Sequence, residues 1–179
     1  MMRSSRWTLL GAVLALLVFG VLRFEPDAHL LRPGQPLPPL RFATPSGAEL
    51  DLARLRGRLL VLNFWATWCA PCVAELPSLG RLQQQLGPAA SVVAVSIDES
   101  AHDVQGFMAE HAPGIAVALD PGGRQARELA GVAALPVTYV VDPDGIVREA
   151  HLGARAWDRP EVLRRLRALS TSPSTAPTR

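Results

Sequence analysis

The sequence contains no lysine; all 18 of its basic residues are arginine. No mechanism follows from arginine alone. No basic block is interleaved with aromatic residues and the formal net charge is only +2, so nothing supports nucleic-acid binding. Cysteine is almost as scarce, with Cys69 and Cys72 the only two in 179 residues. The second pair of a zinc ribbon is missing, and a structural zinc site usually takes four ligands. His29, His102, His111 and His151 show no ligand spacing to one another, so no metal set is expected. Val73 follows Cys72, which excludes the Cys-x-x-Cys-His form of covalent haem attachment. A purely structural disulfide between neighbours this close would close a very small loop, with little entropic benefit. Exchange of electrons is the chemistry that remains.

What is present organises the chain into four parts. "MMRSSR" precedes an uncharged apolar run from Trp7 to Leu22. At about 1.5 Å per residue the run is somewhat shorter than a hydrocarbon core of about 30 Å. Trp7 and Phe24 can sit in the interfaces, and Arg6 and Arg23 can snorkel outward. "VFGVLRFEP" is a poor small-x-small cleavage site, and no cysteine near the run could carry a lipid. Residues 1–24 are therefore expected to be an uncleaved signal anchor, with the early arginines inside and everything after it outside the cytoplasm. Residues 25–37, rich in Pro and Gly, are expected to be a tether that holds neither a helix nor a central strand. Residues 38–169 form one domain, and residues 170–179 a polar, Pro-rich, disordered tail. With 49% hydrophobic residues the chain can bury a sizeable core.

Inside the domain, short apolar runs alternate with helical patterns. "LLVLNFW" (Leu59 to Trp65) and "SVVAVSI" (Ser91 to Ile97) read as strands covered on both faces. Between them, Val73, Leu76, Leu79, Leu82 and Leu86 keep helical spacing from about Cys69 to Leu86, where Gly87 and Pro88 stop the helix; Pro77 should kink it. Ser100 with Asp103 resembles a capping box for a helix bearing Val104, Phe107, Met108 and His111. "GIAVALD" reads as a strand and "GRQARELAG" as a helix closed by Gly131. "VTYVV" and "IVREAHL" flank the hairpin signature "DPDG", and Asp158 with Glu161 should cap a last helix. The expected class is α/β, a central mixed sheet with helices on both faces.

The cysteines fall where a buried strand runs into a helix. At the helix N-terminus, the dipole and free N–H groups would stabilise a Cys69 thiolate, the attacking species. Cys72, one turn on, would be shielded and ready to resolve a mixed disulfide. Pro71 lacks an N–H and stiffens the first turn. Trp68, beside the nucleophile, has a better claim on function than Trp65. Helical spacing also puts Glu75 on the same side as Cys72, where a partly buried carboxylate could exchange protons with a thiol.

These residues carry a resemblance. "NFWATWCAPC", "ELP", "VSID", "ELAGVAALPVTYVVDPDG" and "HLG" together resemble the membrane-anchored TlpA/ResA-like branch of the thioredoxin superfamily, over nearly the whole exported domain. The resemblance implies a thioredoxin-like fold with an N-terminal extension and a central insertion at roughly Glu99 to Asp120. It implies a cis peptide before Pro136, abutting the cysteines, and client contact through Trp68, Pro71 and Leu135. It implies a redox-active Cys69–Cys72 pair with no further cofactor, and a proton-transfer role for Glu75. Thioredoxin has a buried Asp where Asn63 stands, and an Asn cannot shuttle protons. The activity implied is thiol–disulfide exchange at the outer face of a bacterial inner membrane. Clients would be an apocytochrome c or a copper-site assembly protein, and a membrane thiol-transfer protein would donate the electrons. Three rivals share parts of the pattern. A thiol peroxidase needs a Pro upstream of its cysteine, and "FWATWC" supplies Thr67 without it. A Cu(I) chaperone uses a spacing one residue longer. A disulfide-introducing oxidase commonly has His where Pro71 stands.

Overall fold

A computed structural model describes residues 30–171 of the chain. The expected anchor, the start of the tether and most of the tail lie outside the described residues. Two short strands come first, β1 (Arg41–Ala43) and β2 (Glu49–Asp51), then β3 (Leu59–Trp65), α1 (Ala70–Leu86) and β4 (Ala90–Ser96). α2 (Ala101–His111), β5 (Ala116–Leu119), α3 (Arg124–Glu128), β6 (Val137–Val141), β7 (Val147–Leu152) and α4 (Pro160–Thr171) follow. The strands form one mixed sheet in the order β2-β1-β5-β4-β3-β6-β7. β3, β4 and β5 run parallel, whereas β6 pairs antiparallel with β3 and β7 with β6. This is the expected α/β, thioredoxin-like arrangement.

All seven residues of β3 are buried, because helices and loops cover both faces of the sheet. The period of two sorts its side chains. Leu59, Val61 and Trp65 face a core built with Leu76, Leu79 and Leu82 of α1 and Val162 and Leu166 of α4. Leu60, Leu62 and Phe64 face the opposite core, with Phe42, Tyr139 and Ala126. The same alternation turns Asn63 toward α1.

α1 continues through Pro77, which removes one intrahelical bond without ending the helix. Ser100 caps α2 by accepting the Asp103 N–H at 3.3 Å. The segment expected as an insertion is α2 and β5, and β5 sits between β4 and β1. α3 is shorter than its sequence pattern suggests. It ends at Glu128, and the Val132 N–H returns to the Ala126 carbonyl at 2.8 Å across Gly131, whose φ of +67° suits glycine.

Three expectations differ from the structure, and one hairpin had no signal in the sequence. Asp158 does not cap the last helix: its carboxylate accepts from Arg81 Nε at 2.6 Å, and α4 opens at Pro160, whose ring presets helical φ. That guanidinium holds the Asp158 carboxyl below the usual carboxylate range. Residues 30–37 are not a free tether. Gly34 donates to Val147 O at 2.8 Å and Leu37 to Gly145 O at 2.9 Å, with Pro36 bridged to Ile146. The prolines still offer carbonyls, the residues between them offer N–H groups, and Leu30, Leu31 and Leu37 pack on the sheet. α4 reaches Thr171, beyond the expected domain end, because the Ser170 and Thr171 hydroxyls bond back to Arg167 O at 2.8 and 3.3 Å. Finally, the β1–β2 hairpin has three-residue strands, too short to leave a pattern in the sequence.

Candidate active site

Cys69 is the N-cap residue of α1, with an extended backbone, and Pro71 lies in the first turn. Cys69 and Cys72 are joined as a disulfide with their Cα atoms 5.3 Å apart. Cys69 is 7% exposed and Cys72 is fully enclosed, so a partner can reach only the first sulfur. The turn entering the helix is clamped from the end of β4. Asp98 accepts from the Thr67 N–H at 2.9 Å, from the Thr67 hydroxyl at 2.8 Å and from the Ser96 hydroxyl at 2.6 Å. The Thr67 hydroxyl is therefore committed to a structural bond.

Around the disulfide the structure gathers most of the expected residues. Trp68 projects into solvent at 70% exposure, beside exposed Pro71. The Leu135–Pro136 peptide is cis, with Leu135 half-buried and Pro136 buried. Trp68, Cys69, Pro71, Ile97, Val132 and Leu135 line a groove of about 430 Å³ with Arg127 on its edge. A smaller cavity of about 140 Å³, near Leu37, Arg56 and Asp142, lies at the start of β3, the end away from the cysteines.

Glu75 is buried at 2% exposure. Three N–H groups reach it. Asn63 Nδ2 donates to Oε1 at 2.8 Å, while the Arg155 backbone N–H at 3.1 Å and the Trp157 indole N–H at 3.0 Å both donate to Oε2. Burial pushes the Glu75 carboxyl above its ordinary value, and these hydrogen bonds and the Arg155 charge only partly oppose that. Asn63 Nδ2 also donates to Thr138 Oγ1 at 2.8 Å. Trp157 is held by its own N–H to Ser78 Oγ at 3.1 Å, and the Arg155 guanidinium stacks 4.8 Å from its ring centroid. Arg155 in turn contacts the His151 ring nitrogens at 3.0 and 3.1 Å.

Sequence reasoning singled out both cysteines and Glu75, and the resemblance added the Pro136 loop. It missed Asn63 as a partner of Glu75, and Thr138, Arg155, Trp157 and Asp98 altogether. Trp157 is separated from Glu75 by 82 positions, and nothing in "GARAWD" marks it as a carboxylate ligand. The alternation along β3 was the one available signal: it places Asn63 on the α1 side.

A disulfide at the N-terminus of the helix after a buried central strand, with one sulfur outward and one enclosed, on this sheet, defines a thioredoxin-like thiol–disulfide oxidoreductase. The comparisons with known proteins agree. A model described as the AhpC/TSA family matches residues 33–150. Thioredoxin-like protein YneN of Bacillus subtilis is 32% identical over 126 residues, covering 69% of this chain and 73% of that protein. Thiol-disulfide oxidoreductase ResA of Oceanobacillus iheyensis is 31% identical over 162 residues, covering 87% and 84%. Among solved structures, a DsbF homologue from Corynebacterium diphtheriae superposes with a TM-score of 0.67 at 26% identity, covering 78% of this chain and 90% of that one. A secreted Mycobacterium tuberculosis disulfide oxidoreductase homologous to DsbE gives 0.60 at 29% identity, covering 73% and 96%. The chain belongs to the AhpC/TSA family, as a ResA/TlpA-like member of the thioredoxin superfamily.

Proposed function

We propose that this oxidoreductase is a membrane-tethered reductant of protein disulfides on the outer face of the inner membrane, serving cytochrome c maturation or respiratory copper-site assembly. The observation that carries the chemistry is the pairing of an outward Cys69 with an enclosed Cys72 and a buried Glu75 on one helix. In the reduced protein the Cys69 thiolate attacks one sulfur of a client disulfide and expels the other as a thiolate. Cys72 gives up its proton, with the Glu75 carboxylate as acceptor, and attacks Cys69 Sγ. The second client thiolate leaves, and the Cys69–Cys72 disulfide closes. Two electrons have passed to the client, and two protons complete its thiols. Trp68, Pro71 and Leu135 form the surface on which the client lies, next to the cis Leu135–Pro136 peptide. A membrane thiol-transfer protein recharges the enzyme by the same steps in reverse, since direction depends on relative reduction potential.

Support for the physiological role comes from the ResA-type relatives and from the apolar run at Trp7 to Leu22. Cys72→Ser retains the attacking sulfur and lacks the resolving one, so client and enzyme should accumulate as a Cys69-linked adduct. Acid-quenched cells expressing this variant, with adducts identified by mass spectrometry, test the role. An apocytochrome c or a copper-site protein is the expected catch. Absence of any Cys69-dependent adduct, together with tight Cu(I) binding by the purified variant, would replace the redox reading with a chaperone. Rapid peroxide consumption without disulfide reduction would replace it with a peroxidase.

A further inference from the structure

Glu75 is bonded asymmetrically. Oε2 receives the Arg155 backbone N–H and the Trp157 indole N–H, two donors that cannot become acceptors. Oε1 faces the Asn63 carboxamide. A neutral carboxyl has one O–H to donate, so its proton belongs on Oε1. There, however, Asn63 Nδ2 already points an N–H at the same oxygen at 2.8 Å. Meanwhile Asn63 Oδ1, on a wholly buried side chain, has no hydrogen-bond partner among the described residues. Half a turn of the carboxamide exchanges the two ends with almost no change of shape. Thr138 Oγ1, which accepts from Nδ2, can equally donate to Oδ1 because a hydroxyl rotates. Either orientation leaves one end of the amide unpaired, so what separates them is which end meets Oε1.

We propose that the Asn63 carboxamide turns over with the protonation of Glu75: Nδ2 donates to the carboxylate, and Oδ1 accepts from the carboxylic acid. Asn63 is then a positioning residue. It keeps Oε1 hydrogen-bonded in both protonation states, so that taking up or releasing a proton leaves neither Glu75 oxygen unpaired. The purpose of the device rests on the reading of Glu75 as the proton acceptor for Cys72; its geometry does not. The groups that meet Glu75 are Arg155 and Trp157 of the loop after β7 and the neutral Asn63, with the Thr138 hydroxyl beyond Asn63; Cys72 precedes Glu75 by three positions on the same helix. His151 lies beyond Arg155, bonded to Glu149 at 2.6 Å. Burial raises the Glu149 carboxyl, but His151 and Arg165 hold it below the usual range.

The test uses the full-length chain in mild detergent, in the disulfide form, where neither cysteine titrates. The Glu75 side-chain carbonyl resonance reports its protonation, and NOEs from the Asn63 Hδ2 protons to Glu75 Hγ and the Thr138 methyl report the amide. The expected result is that these NOEs are present above the Glu75 midpoint and vanish below it, at the same pH. Substitution provides a second readout. Trp157→Phe removes an irreversible donor and should raise the midpoint by about one pH unit, tenfold in the protonation equilibrium. Asn63→Leu removes the donor of one state and the acceptor of the other, so its shift should stay below roughly threefold. NOEs that persist while the carboxyl titrates would overturn the proposal. So would a carboxyl that never protonates above about pH 4, or an Asn63→Leu shift as large as that of Trp157→Phe. If the amide exchanges but Glu75→Gln leaves the pH profile of Cys69 alkylation unchanged, the amide device stands and the proton-acceptor reading falls.

Discussion

Replacing Glu75 by Gln should make the protein more resistant to unfolding as pH rises, relative to the parent. In the parent, the folded state holds the Glu75 proton to a pH above 4.5, the ordinary value, because burial penalises the anion more than its three donors stabilise it. The unfolded chain releases that proton near 4.5. Between the two midpoints the native state binds one more proton than the unfolded state, so stability falls as pH rises. The slope is about 1.4 kcal/mol per pH unit across that window, and it vanishes outside it. The glutamine side chain has the shape of the neutral acid. Its carbonyl can accept from Arg155 and Trp157 while its amide turns to Asn63. The variant therefore lacks this loss. Urea unfolding of the disulfide forms, repeated from about pH 4 to pH 8, measures the difference between the two free energies. That difference should move in favour of Glu75→Gln through the window and then level off. A constant offset at every pH would mean that Glu75 titrates alike in the folded and unfolded chains, and the desolvation argument would be wrong.

Cys69→Ser should abolish reduction of a disulfide substrate such as insulin, because no accessible thiolate remains at the helix terminus; near-normal turnover would reassign the nucleophile. Asp98→Ala removes the acceptor for two bonds from Thr67 that hold the turn before Cys69 and one from Ser96, and should cost about 1–3 kcal/mol together with slower exchange by Cys69. A urea midpoint and exchange rate like the parent's would show that the clamp is dispensable. Leu79→Ala, at a fully buried position of α1 in the core shared with β3, β4 and α4, should cost about 2–5 kcal/mol in the same assay, and a loss under about 1 kcal/mol would contradict the packing described.

Local chemistry made much of this protein legible before its fold. The short, largely apolar run at Leu59–Trp65 reads as a strand covered on both faces. The spacing of Leu76, Leu79, Leu82 and Leu86 could bury one stripe only as a helix, so Cys69 had to fall at the junction. Asp142 to Gly145 could only turn. These features rest on neighbours within a few residues, and their periodicity is written along the chain. Whether Glu75 is a solvated helix residue or a buried acid was not written there. Spacing put it on the side of Cys72, but its protonation depends on desolvation and on donors from Asn63, Arg155 and Trp157, which lie 12, 80 and 82 positions away. The docking of residues 30–37 was hidden for the same reason, since its hydrogen bonds run to the β6–β7 hairpin at Gly145 and Val147. Secondary structure follows from local propensity and pattern, whereas the energy of a buried charge is a property of everything packed around it, and only the closed fold brings those groups within reach.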